Sequence, residues 1–334
     1  MKSGKLFLLV LALALTAVKS SAAVREVREV HFQMGTYLEV TLWHDEPETA
    51  KALIRQLIQE AHRLDTILSN YDPDSALSQL NRYAGTGSLR VPAELFELLE
   101  LSREFGEKTA GRFDITIGPL MELWQTAAAA KRAPSTFQLN QARALVDYRN
   151  LALSRPNDAA LSRSGMNIDL GGIGKGYAVD RMTTILKTAK VAAALINFGG
   201  SSISAIGAPP GKSAWEIALQ DTDGHARGAI KLRDLALSTS ASMGQAWIIG
   251  GKKYGHMIDP LSGMPVTEAR MATVIAPSAT LAEALTKPLV LNGANAMGIV
   301  NTFANTEAVV IPGSGAMAFS RQFRSRASWN EIQK

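Results

Sequence analysis

The chain has no cysteine among its 334 residues. That excludes disulfides, thiolate metal sites and a cysteine nucleophile. Aromatic residues make up only 6%, and no dense run of lysine and arginine interleaved with aromatics occurs, which argues against nucleic-acid binding. Histidine is scarce, with His31, His44, His62, His225 and His256 the full set. A His-Glu-x-x-His zinc helix and a Gly-x-Ser-x-Gly nucleophile elbow are both missing. Apolar runs of the ~20 residues needed to cross a bilayer are lacking too. The apolar stretch 6–18 is shorter, follows Lys2 and Lys5, and is succeeded by the small residues Ser21-Ala22-Ala23. This is the pattern of a secretory signal peptide over 1–23. The mature protein is expected to begin near Val24 and to be exported, periplasmic and soluble, with no cysteine to carry a lipid anchor. Lys2, Lys5 and Lys19 supply three of the five net positive charges, so the basic balance is largely a property of that leader.

What remains is long enough for a large core, in one elaborate or two closely joined domains over 24–334, with a soft boundary near residue 190. Residues 29–43 alternate apolar and polar side chains as a strand does, and 47–68 repeat Ala50, Leu53, Leu57, Ala61 and Leu64 at helical spacing. A second amphipathic helix is predicted over 92–109, with Pro92 in its first turn and Gly111 beyond its end. Residues 138–146 read as helical. Short strand-like runs follow at 193–198, 202–206, 215–219 and 272–276, and helical patterns at 281–291 and 294–303. Pro288 must there occupy a first turn, a kink or a break. The fold class is α+β.

The segment richest in chemistry is Gly172-Ile173-Gly174-Lys175-Gly176-Tyr177-Ala178-Val179-Asp180-Arg181, directly after the apolar run 166–170. Glycines let backbone approach a ligand, free N–H groups at a helix start point toward an anion, and Lys175 adds a positive charge. The same residues would also suit a tight strand-to-helix turn. They match neither a dinucleotide fingerprint nor a P-loop. Residues 69–75 form a turn-rich segment in which Asp74 or Ser75 can cap the next helix, which ends near Asn81. Residues 111–120 mix Phe113, Asp114, Ile115 and Thr116 with flexible glycines, suiting either a planar ligand or an ordinary connection with Phe113 in the core. Asn197-Phe198-Gly199-Gly200 ends a strand. His256 is the histidine best suited to acid–base work, since Asp259 lies close in sequence and the other four stand in segments without chemical residues.

Taken in order, Met34-Gly35-Thr36, residues 69–81, 111–124, 169–181 and 197–200, Thr239-Ser240, residues 256–266 and 282–285 resemble the FAD:protein FMN transferases. That family is also called ApbE and was formerly labelled thiamine biosynthesis lipoproteins. The resemblance spans nearly the whole mature chain. It implies an ApbE-like two-part α+β fold with FAD in a cleft between the parts. It implies Met34, Tyr71, Phe113, Asp114, Ile115, Lys175, Arg181 and Ile258 as residues around FAD. The implied reaction moves FMN from FAD to a serine or threonine hydroxyl of an acceptor redox protein, exported or membrane-bound, and releases AMP. The enzyme would not span the membrane and would act at its surface. His256 would assist removal of the acceptor proton.

A divalent metal, Mg²⁺, is implied as well, held by the Ala178 carbonyl and by an aspartate and a threonine in an Ala-Asp-Ala-Leu-Ala-Thr pattern. This chain reads Ala282-Glu283-Ala284-Leu285-Thr286-Lys287, placing Glu283 at the aspartate position and Lys287 at the threonine position. Three outcomes stay open. Lys287 pairs with Glu283 or swings to solvent, or its ammonium stands where the metal would, or Thr286 or water restores a metal site. A working transferase is the leading expectation. A FAD-binding accessory protein without the metal-assisted step and, further off, an exported solute-binding protein are the alternatives.

Overall fold

The computed structural model describes residues 23–331, so the expected signal peptide lies almost wholly outside the described residues. An antiparallel sheet of eight strands organises the molecule. From one edge to the other its strands are Arg25–Gln33, Thr36–His44, Ala193–Phe198, Ser202–Ile206, Ala236–Ala241, Arg270–Ala276, Glu307–Pro312 and Ala318–Phe319. The alternation expected to give a single strand over 29–43 instead gives a hairpin. Met34 and Gly35 both take positive φ, 45° and 73°, the mirror-image turn whose twist suits a two-residue connection. Gln33 then faces Thr36, and Phe32 faces Tyr37.

Strands in the middle of the sheet are buried on both faces, and the two-residue period of the backbone divides their side chains between two cores. Ala194, Ile196, Phe198, Ala272, Val274, Ala308 and Val310 enter one core. Their neighbours Ala193, Ile203, Ala205, Ile275, Val309 and Ile311 enter the other. The second core is closed by a small sheet of strands Trp215–Gln220, Ala226–Leu232 and Asn330–Glu331. The first is closed by helices.

Helix α1, Pro47–Leu68, begins at a proline and buries Ala50, Ile54, Leu57, Ala61, Leu64 and Leu68, a stripe stepping by four and three. Helices α2 (Ala76–Arg82) and α3 (Ala93–Lys108) follow, then α4 (Gly118–Ala129) and α5 (Thr136–Arg143). Helix α6, Gly174–Thr188, packs on α1 and on the sheet, and α7, Ala279–Asn292, lies against α6 and the strands Ala236–Ala241 and Arg270–Ala276. Helix α7 runs through Pro288 without ending there. The helix expected over 294–303 is reduced to a 3₁₀ turn, Gly293–Ala296, and one turn of α-helix, Met297–Val300. Gly293, at φ 60°, terminates α7 and resets the chain direction.

Residues 166–170 are no regular strand. Their one bridge joins Asn167 to Ile117. Side chains replace the missing strand partner. Asn81 accepts from Ile168 N at 2.8 Å and donates to Ile168 O at 2.9 Å, and Asn70 Nδ2 donates to the same oxygen at 3.2 Å. A third apolar cluster joins α4 to the hairpin of strands Ala246–Ile249 and Lys252–Gly255, with Leu120, Trp124, Tyr254 and Ile258 at its centre. Trp124 Nε1 donates to Gly263 O at 2.8 Å, tying α4 to the loop that carries His256. The sheet passes across residue 190, since Thr36–His44 pairs with Ala193–Phe198. Among the described residues no helix is long and apolar enough to cross a membrane.

Candidate active site

Two helices meet at the glycine segment because α6 lets them. A Cβ on Gly176 would lie 2.5 Å from Ala279 O and 2.9 Å from Thr280 N, so only glycine allows α7 to start this close to α6. Asp180, one turn further along α6, accepts from Ala279 N and Thr280 N at 2.7 and 2.8 Å and caps the start of α7. Ser278 adds its own cap from the other side. This contact sets Glu283, one turn into α7, against the first turn of α6.

The N–H groups at the start of α6 would suit an external anion, but the protein uses them itself. Gly174 N donates to Leu170 O at 2.8 Å, and Gly176 N donates to Glu283 Oε2 at 2.5 Å. Glu283 Oε1 lies 3.2 Å from Lys175 Nζ. Both oxygens of a carboxylate that is only 2% exposed are therefore committed. Burial pushes Glu283 toward protonation, yet Lys175, Lys287 and the Gly176 N–H outweigh it and hold its carboxyl below the usual range. Glu283 in turn holds the Lys175 ammonium above its ordinary value, against the effect of burial. Asp169, which accepts from Gly171 N at 2.7 Å, adds a second negative group on the Lys175 side. Burial pushes its own carboxyl up.

Lys287 takes a different place from the partner of Glu283 that its i+4 spacing suggested. Its Nζ donates to Ser240 Oγ at 3.1 Å and to Thr286 Oγ1 at 3.2 Å. Thr286 Oγ1 donates to Glu283 O at 2.7 Å, so the 2.8 Å contact between Ser240 Oγ and Thr286 Oγ1 must use the serine proton. The lysine stem runs beneath the glycine segment. A Cβ on Gly172 would meet Lys287 Cε at 3.2 Å and Phe113 Cε2 at 3.8 Å. Burial pushes the Lys287 ammonium down to about 8, with Lys175 adding to the effect and Glu283 opposing it. It remains mostly protonated at neutral pH.

His256 completes the cluster. Its Nδ1 lies 3.0 Å from Gln245 O, and a carbonyl only accepts, so Nδ1 carries the proton and Nε2 keeps a free lone pair. Burial lowers its pKa first. The Gln245 contact opposes this, and Lys287 and Lys175 lower it further. The ring is neutral at pH 7 and can act as a base.

The other expected residues fall into three groups. Tyr71 is 93% exposed yet close enough to Lys175 to raise its pKa, whereas Met34 stands at the hairpin tip, packed against the first core. Phe113, Asp114, Ile115 and Ile258 are buried, with Phe113 beside Gly172 and Ile258 in the cluster around Trp124. Phe113 meets Phe105 edge-on at 6.2 Å, Asp114 accepts from Thr116 and from Tyr148 N, and Ile115 O accepts from Asp169 N. Arg181 is not brought to the Lys175–Glu283 pair. It reaches Glu60 of α1 at 3.6 Å and lines a separate cavity of about 350 Å³, together with Glu97, Tyr177, Asp180 and Lys187.

Ala178 lies inside α6, fully buried. The side chains around it do not fit a divalent ion. The Glu283 carboxylate is already shared by an ammonium and a backbone N–H, Asp169 is engaged by Gly171 N and lies on the Lys175 side, and Lys287 brings a second ammonium where the family pattern has a neutral ligand. Two unit charges of like sign 4 Å apart repel by about 4 kcal/mol at an effective dielectric near 20, and a divalent ion doubles that. Three residues that hold the site together were not singled out from sequence for these roles. Asn81, Ser240 and Thr286 each stood inside a recognised segment, but the roles depend on chains 46 to 87 residues away.

The arrangement gathers two lysines around the buried Glu283 carboxylate at a glycine-rich helix start, with a neutral histidine close by. Known proteins share the fold. The model of the ApbE family matches residues 34–310. The FAD:protein FMN transferase of Treponema pallidum is 28% identical over 310 residues, covering 87% of this chain and 85% of that protein. The one from Escherichia coli K12 is 26% identical over 269 residues, covering 78% and 76%. Among solved structures, the ApbE protein of Thermotoga maritima superposes with a TM-score of 0.81 at 27% identity, covering 91% of this chain and 99% of that one. The chain belongs to the ApbE family.

Proposed function

We propose that the protein is a FAD:protein FMN transferase. The observation that carries this reading is the family match over residues 34–310, together with curated relatives of that name aligned along more than three quarters of this chain. The cleft suits the chemistry. Lys175 and Lys287 face a region where the two phosphates of FAD would need positive charge, and Tyr71 and Met34 offer apolar faces to flat rings.

In the reaction, the hydroxyl oxygen of an acceptor serine or threonine attacks the flavin-side phosphorus. An oxygen–phosphorus bond forms there, and the bond from that phosphorus to the bridging oxygen breaks. AMP leaves with the bridging oxygen and the bonding electron pair. The hydroxyl proton passes to His256 Nε2, which the Nδ1 contact with Gln245 leaves free to accept. Magnesium, expected from the resemblance, finds no free ligand set among these side chains. The acceptor is an exported or membrane-anchored redox protein. The chain acts outside the cytoplasm after loss of residues 1–23, which N-terminal sequencing of the exported protein would check.

Purified protein given FAD and an acceptor domain should add one FMN mass to a serine or threonine and release AMP. Absence of any adduct despite tight FAD binding would instead favour the accessory-protein reading. His256→Ala should slow transfer by on the order of 10²-fold while FAD affinity changes by less than threefold. A matching loss of affinity would place His256 in binding rather than proton transfer.

A further inference from the structure

We propose that the ammonium of Lys287 is the built-in counter-cation for the pyrophosphate of FAD, so that this protein binds FAD without a divalent metal. The inference rests on the FAD reading above and concerns how the same cleft neutralises its ligand.

Three features lead to it. The start of α6 and Lys175 are already neutralised from inside, because Glu283 takes the Gly176 N–H with one oxygen and the Lys175 ammonium with the other. Among the described residues Lys287 has no such partner in contact. Its two hydrogen bonds go to the neutral hydroxyls of Ser240 and Thr286, which fix the head in position without cancelling its charge. An ammonium has three donors, so one N–H is left for a ligand, and the positive charge is offset only at a distance by Glu283, without a contact. Finally, the stem is packed. A Cβ on Gly172 would meet Lys287 Cε at 3.2 Å and Phe113 Cε2 at 3.8 Å, so the stem and that ring crowd the same side of the glycine, and the head is held at the glycine segment by its two hydroxyl bonds. The side chain is partly exposed there.

A fixed monovalent cation and a bound divalent ion exclude one another at this position. The hydroxyl pair Ser240–Thr286 directs its oxygens to the lysine and not to a metal. Electrostatic preorganisation is then complete before FAD arrives, and metal availability ceases to matter for binding.

The test measures FAD affinity of the full-length protein by flavin fluorescence quenching, once in EDTA and once in millimolar Mg²⁺. Riboflavin, which has no pyrophosphate, is the control ligand. The wild-type protein should bind FAD equally, within twofold, in both conditions. Lys287→Met should weaken FAD at least tenfold in both conditions and leave riboflavin affinity unchanged, and Lys287→Arg, which keeps the charge, should stay within about threefold of wild type. The double change Glu283→Asp with Lys287→Thr should make FAD binding metal-dependent, at least tenfold tighter with Mg²⁺ than with EDTA. The proposal is overturned if wild-type FAD affinity rises tenfold or more with Mg²⁺, or if Lys287→Met binds FAD as wild type does. No FAD binding by the wild-type protein in either condition overturns the FAD reading itself, and the proposal with it.

Discussion

Glu283 is the residue on which the site's charge balance turns. It is buried and carries two of the first-turn interactions of α6. Glu283→Gln keeps the shape, removes the negative charge and leaves two ammonium groups facing each other. Breaking a buried pair from one side typically costs about 3–5 kcal/mol, and urea denaturation should show a loss of that order. A change under 1 kcal/mol would mean that the Lys175–Glu283 contact is looser than its 3.2 Å distance implies. Gly176 gives a second test. Gly176→Ala places a methyl group on the Ala279 carbonyl, and overpacking of this kind costs about 1–3 kcal/mol. The melting temperature should fall, and FAD affinity should fall with it because Glu283 moves together with α7. These residues also mark how far a sequence reading reaches. Lys175, Glu283, Lys287 and His256 were identified as chemical residues from their segments. Whether Lys287 would meet Glu283, solvent or a hydroxyl pair depended on Ser240, which lies 47 residues earlier and on a different element.

Between elements, α1, α3 and α6 are joined by ions. Arg63 Nη2 reaches Glu94 Oε1 at 2.8 Å and Arg63 Nε reaches Glu60 Oε2 at 2.8 Å, while Glu60 Oε1 receives Arg181 at 3.6 Å. Hydrogen bonding from Arg63 holds the Glu60 carboxyl below its ordinary value against partial burial, with Arg181 assisting. A carboxyl lowered in the folded state contributes stability that is present above its unfolded value, 4.5, and is lost as pH falls through the folded one. The wild-type melting temperature should therefore drop more steeply than that of Glu60→Gln below about pH 4.5, with the two curves parallel above it. Equal slopes would remove this network from the acid response. At neutral pH the pair is worth no more than about 1 kcal/mol, being partly exposed. Elements with strong local signals were legible without the structure. Helix α1 matches its expected limits of 47 and 68, and the strands Ala193–Phe198 and Ser202–Ile206 match theirs. Residues 29–43 and 166–170 differ because neither pattern records what lies opposite. A two-residue turn at Met34-Gly35 folded the first back on itself, and two asparagine side chains took the place of a neighbouring strand for the second.

Across the whole molecule, the site is where separate layers converge. Helix α6 brings Lys175, α7 brings Glu283 and Lys287, a sheet strand brings Ser240, and the loop held by Trp124 brings His256. Trp124→Phe removes the bond to Gly263 and keeps most of the apolar bulk. It should cost about 1–2 kcal/mol of stability. Transfer should slow more than FAD binding weakens, because the histidine loop loses its anchor while the lysines keep theirs. Equal losses in rate and affinity would show that the loop and the lysines move as one unit. The sequence by itself determined the family and the α+β class, since each rests on local spacing and on ordered motifs. Only the tertiary structure decided that the glycine-rich helix start is satisfied by an internal carboxylate and that Lys287 is held by hydroxyls. The Gly176–Glu283 and Ser240–Lys287 pairings join residues 107 and 47 positions apart, and such contacts are set by how α6 and α7 close over the sheet.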